Sequence, residues 1–166
     1  MSPAHSTKLL GTDFTASRRR STKVAKKRLK DFRADAGKIQ SLRRNGASAL
    51  HYVRAAGVPR IAYGTDVNGA SDSHLKDSRA ATASAYAAPT AGKNPALTHV
   101  AHAAAAPDAD PAYAFHLGPL KLWAMAWWEH WAAPDDMKLA FGRARSRLAA
   151  AVGSHRLEDR LEDART

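Results

Sequence analysis

The chain has 166 residues, 26 Lys and Arg against 15 Asp and Glu, a formal net charge of +11 and no Cys. Disulfides, thiolate zinc sites and cysteine nucleophiles are thereby excluded, and no apolar run approaches the roughly 18 residues that a membrane-spanning helix needs. The length suits one domain, but 37 of the 74 apolar residues are Ala, which buries little surface, so the expected core is thin.

Residues 1–16 read as an extended N-terminal segment, Lys8-Leu9-Leu10-Gly11-Thr12-Asp13-Phe14 forming a short strand-like piece with a turn at Gly11. Residues 17–60 then hold fourteen of the basic residues but only Asp31 and Asp35 of the acidic ones, a local +12, while the rest of the chain sums to −1. A block this uneven is an electrostatic footprint for a polyanion, nucleic acid above all; its bland counterpart is a solvated helix face. Over residues 21–44 the pattern is helical, with Ala25, Leu29, Phe32, Ala36, Ile39 and Leu42 recurring at steps of three and four. Ser21 or Thr22 suits the N-cap, and Asn45-Gly46 suits the C-terminal stop. On a flank about 100° from the apolar stripe lie Arg19, Lys23, Lys26, Lys30 and Arg33. With Lys8 and Lys27 these are the candidate nucleic-acid-binding residues. Gly37, costing about 1 kcal/mol against Ala, marks an expected bend or weak point.

A second helix is expected over residues 48–56, stopped by Gly57-Val58-Pro59, with Ile61-Ala62-Tyr63-Gly64 as an apolar link. Ser71 or Asp72 caps a third helix running to about residue 87, which completes a basic helical region over 17–87. Residues 88–111 form an Ala/Pro-rich linker containing a short helix begun by Asn94-Pro95, then a loop at Pro107-Asp108-Ala109-Asp110-Pro111. Residues 112–153 read as a Trp-rich helical hairpin, its first helix starting at Pro119 and its second at Asp135, and residues 154–166 as a charged tail. The expected class is all-α: a small irregular helical bundle with a short extended N-terminal piece, linkers and tail being disordered.

Trp123, Trp127 and Trp131 recur at every fourth position, with Trp128 on the next face. An aromatic stripe of this spacing reads first as core or as a surface for a protein partner, and second as a platform for stacking bases. His99 and His102, three apart without a carboxylate or third His in helical register, read as unliganded surface residues. Asp135-Asp136 follows Pro134 and reads as a helix start favoured by the helix dipole, not as a metal-binding pair. No nucleophile elbow and no Gly-rich phosphate loop is present. With no apolar signal-peptide core, secretion is not expected; Arg18-Arg19-Arg20 and Lys26-Lys27-Arg28 suit nuclear import machinery, and the choice between nucleus and cytoplasm stays open.

Lys8-Leu9-Leu10-Gly11, followed at once by a basic helix, resembles the point where the palm of a non-LTR retrotransposon reverse transcriptase passes through its primer grip into a helical thumb. Pro59-Arg60-Ile61-Ala62-Tyr63-Gly64-Thr65-Asp66-Val67, with Leu75 and Arg79, is similar to the post-thumb pattern of those elements. The resemblance covers residues 8–87; it departs from the family at Asp66, where Glu is usual, and at Asn68-Gly69, near an expected Trp. It implies an RNA-directed DNA polymerase whose Mg²⁺ is held by paired aspartates upstream of the grip. Only seven residues precede Lys8. The implication for this chain is therefore a C-terminal fragment that grips an RNA or RNA–DNA duplex with little sequence preference, polymerises nothing alone and holds no cofactor of its own. Two other readings stand beside it: a small interaction module docking on a protein through its Trp-rich helix, and a remnant without selected activity.

Overall fold

The computed structural model describes residues 6–9, 12–15, 21–87 and 94–152. Arg19, residues 88–93 of the linker and the charged tail lie outside the described residues, as do the side chain of Lys8 and the expected turn at Gly11. The class is all-α apart from one small hairpin, β1 (Ser6–Leu9) and β2 (Thr12–Thr15), antiparallel with Lys8 opposite Asp13 and Leu9 opposite Thr12. Among the described residues no helix is long and apolar enough to cross a membrane.

Helix α1 (Lys23–Arg44) follows the apolar periodicity and buries Leu29, Phe32 and Ile39. It packs on α5 (Asp72–Tyr86), α3 (Val58–Ala62) and α2 (Ala49–Tyr52). Leu42, expected on the buried stripe, is 42% exposed, because the last turn of α1 and residues 45–48 all face solvent. Gly37 sits in α1 without interrupting it.

The expected stop at Gly57-Val58-Pro59 does not occur. Helix α2 passes through a π turn, Val53–Gly57, straight into α3, so Ile61, expected in a link, is a fully buried helical residue. The widened turn resolves the proline problem. Val58 N–H donates to Val53 O five residues back, and Pro59, which has no N–H to offer, falls in the first turn of α3. Gly57 also lets this turn close on α1, since a Cβ there would lie 2.7 Å from Phe32 Cε2. Gly57→Ala should accordingly cost about 1–3 kcal/mol by overpacking, read as a lowered urea midpoint at unchanged slope; an unshifted midpoint would show that Phe32 yields freely.

A short helix, α4 (Thr65–Asn68), follows Gly64, whose φ of 84° is open to glycine and whose missing Cβ would meet Thr12 Oγ1 at 2.5 Å. Thr12 of β2 thus lies close against Gly64. Ser71 caps α5 by accepting from His74 N–H, and Asn94 caps α6 (Pro95–Ala103) by accepting from Ala96 N–H. A 3₁₀ turn, Pro107–Ala109, leads into α7 (Pro111–Trp128). The helix therefore starts at Pro111, in the first-turn position that suits proline, and the expected start at Pro119 is an interior residue of α7. Helix α8 (Pro134–Val152) opens with Asp135 and Asp136 in its first turn.

The chain divides into two compact units, Met1–Leu122 and Trp123–Thr166. The first is centred on Leu29, Phe32, Ile39, Val53, Val58, Ile61 and Phe115, filled in by Ala49, Ala81, Ala85 and Ala87. In the second, α7 ends in a Schellman turn: His130 takes φ 52° and Trp131 N–H donates to Ala126 O. Trp131 therefore leaves the helix, and the three-Trp stripe is broken after Trp127. Trp123 contacts Trp127 edge-on at 5.9 Å and Phe141 of α8 at 5.8 Å. The tryptophans are not core, however, with Trp131 54% and Trp128 87% exposed.

Candidate nucleic-acid interface

Successive α1 residues turn by about 100°, so Lys23, Lys26 and Lys30 form a row about 130° from the middle of the Leu29–Phe32–Ile39 face, almost directly outward. The row is about 10 Å long. All three side chains are exposed, and among the described residues they make no ion pair. Arg43 and Arg44, exposed and likewise unpaired among those residues, lie in the last turn, where cations meet the negative end of the helix dipole.

The other described cations of the +12 block have partners within the fold. Lys27 pairs with Asp31 at 2.9 Å and Arg33 with Asp77 of α5 at 3.3 Å. Arg60 and Lys38 share Asp35 at 2.9 and 3.0 Å, tying α3 to α1. The hydrogen bond from Arg60, then that from Lys38, holds the Asp35 carboxyl below its ordinary range. Arg54 pairs with Asp108 at 2.7 Å. Arg28 donates to Tyr63 O at 2.7 Å and lies 4.6 Å over the Tyr63 ring, clamping α1 to the segment after α3. Of the seven candidate residues, Lys23, Lys26 and Lys30 are the ones exposed and without an ion pair among the described side chains. Lys27 and Arg33 stand beside them in exposed pairs worth only about 0–1 kcal/mol, easily exchanged for a phosphate.

A cleft of about 570 Å³ lies across the α2–α4 run and α7, with Tyr63 and Tyr113 at its walls. Its cations Arg54 and Lys121 are matched by Asp66 and Asp108, so it has no net attraction for an anion. Among the described residues no three His, Asp or Glu side chains converge in a way that would hold a metal ion. Asp135, whose side chain is 95% exposed and bridged to Lys138, belongs to the start of α8, so the donor set does not fit a polymerase Mg²⁺ site.

A second polar cluster was legible only in part. His99, expected at the surface, is 4% exposed. Its Nε2 lies 3.1 Å from Arg79 O and its Nδ1 2.9 Å from the Tyr86 hydroxyl. A carbonyl only accepts, so Nε2–H donates to Arg79 O, and Nδ1 accepts from Tyr86 O–H. Burial pushes the His99 imidazole below its ordinary value of 6.5 and the Tyr86 phenol up to about 12. Arg79 is held by both carboxylate oxygens of Asp110, at 3.1 Å from its Nε and 2.9 Å from its Nη2. His74, Ser78, Thr82 and Tyr86, one turn apart on α5, form a buried polar seam; Ser78 and Thr82 donate to the carbonyls of His74 and Ser78. The seam carries no apolar periodicity; its signal in the sequence is the four-residue spacing of His74, Ser78, Thr82 and Tyr86.

No protein-family model, curated protein or solved structure matches the chain. The exposed lysine row therefore supports a function by its own chemistry.

Proposed function

We propose that the chain grips the phosphates of RNA or of an RNA–DNA duplex through α1, in the manner of the thumb-like region of a non-LTR reverse transcriptase, and without catalysing a reaction on them. The observation that supports this reading is the outward row of Lys23, Lys26 and Lys30, exposed and unpaired among the described residues. Ammonium groups at steps of three and four on one helix face repel one another, and an anionic polymer relieves that repulsion. Lysine side chains on a single row reach phosphates rather than base edges, so affinity should depend weakly on sequence.

The test is binding to an RNA hairpin at two salt concentrations. Three neutralised phosphates give a slope of log K against log salt of about −2.7, or roughly a 40-fold loss between 50 and 200 mM. A flat response would eliminate phosphate neutralisation.

A second reading, docking on a protein partner, draws on the 87% exposure of Trp128 and 54% exposure of Trp131. The same titration separates the two, because an aromatic docking surface provides no salt-dependent hold on RNA.

A further inference from the structure

We infer that His99 is a proton-sensitive latch: uptake of one proton by its imidazole releases α6 from α5. Of the nine residues of α6, His99 is the buried one. Leu97 and Val100, the large apolar residues of that helix, are each 68% exposed, so α6 docks on α5 through an imidazole rather than through a hydrophobic face.

The docking depends on the neutral ring. Nε2–H is given to Arg79 O and Nδ1 receives the Tyr86 hydroxyl proton, with Thr82 Oγ1 3.4 Å from Nε2. Protonation makes Nδ1 a donor as well, so the Tyr86 hydroxyl must turn to accept from it and loses the acceptor for its own proton. The charged groups around the ring do not compensate. From the turn after α6, Asp110 is the nearest carboxylate, and Arg79 of α5 already holds both its oxygens. His102, one turn along α6, contacts the Tyr86 ring at 5.1 Å and donates Nδ1–H to Thr98 O, so its own protonation adds like charge. From α7, His116 and Tyr113 line the same groove of about 470 Å³ as His99, and neither supplies an anion. An imidazolium there is buried and charged with no unpaired carboxylate beside it, whereas water solvates it once α6 lifts away.

The sign follows from linkage. Burial holds the docked imidazole below 6.5, so between 6.5 and that lower value the open form binds a proton that the docked form does not. Docking is therefore strongest above pH 6.5 and weakens as pH falls, by up to about tenfold per pH unit for one proton.

Amide hydrogen exchange on the full chain tests this. After correction for intrinsic rates, α6 amides should lose more protection than α1 amides between pH 6.5 and 5.5, by up to about fivefold for one proton. His99→Gln retains an N–H donor and an oxygen acceptor but cannot titrate, and should abolish the difference. Equal losses in α6 and α1, or the same α6 loss in His99→Gln, would overturn the inference. If the variant does not fold, NMR titration of the wild-type His99 ring decides: a midpoint below 6.5 that coincides with α6 release supports the latch, and any other result overturns it. The RNA reading stands or falls separately, since no α1 lysine is involved.

Discussion

Phe32→Ala should lower the unfolding free energy of the first unit by about 3–5 kcal/mol, leaving it close to its unfolding threshold, since native domains hold only about 5–15 kcal/mol in all. Phe32 is 1% exposed and stands where α1 meets the π turn, within reach of Gly57 and among Leu29, Ile39, Val53 and Ile61. Four of the twelve buried core residues are Ala, whose methyl groups cannot swing into a cavity, and Gly57, packed close against the ring, has no side chain to move in. The site cannot collapse, so the cost belongs at the upper end for a lost aromatic. Urea denaturation followed by circular dichroism reads the result as a large fall in midpoint. A loss under about 1 kcal/mol would mean that the alanine core repacks and that Phe32 is not its centre.

Helices with a regular apolar period and a recognisable cap were legible in the sequence. The apolar steps from Leu29 to Ile39, the Ser71 cap of α5 and the Asn94-Pro95 start of α6 all appear where the residues indicate. Prolines misled twice, for opposite reasons. At Pro59 a π turn absorbed the missing N–H, and at Pro111 a residue read as loop became the first turn of α7, displacing the start expected at Pro119. The Trp spacing implied a continuous stripe, but a left-handed His130 turned Trp131 off the helix.

The candidate site was legible in outline and not in its charge balance. Counting within residues 17–60 finds only Asp31 and Asp35 opposing the cations, yet the fold brings Asp77 to Arg33 and Asp108 to Arg54. Long-range pairings of this kind leave no local signal. The lysines that remain lie on the outward side of α1, where no other described element arrives to neutralise them.

Replacing Lys23, Lys26 and Lys30 together by Gln isolates that row. Gln has nearly the helix propensity of Lys, the positions are exposed and the buried face is untouched, so stability should change by no more than about 0.5 kcal/mol. Loss of three phosphate contacts should reduce the salt slope by about 2.7, leaving whatever Arg43, Arg44 and the paired cations contribute. Fluorescence anisotropy of a labelled RNA hairpin, titrated with wild type and with the triple variant across 50–200 mM salt, is the most direct measurement. A steep wild-type slope that flattens in the variant is the predicted result; equal slopes and equal affinities in two equally folded proteins would contradict it.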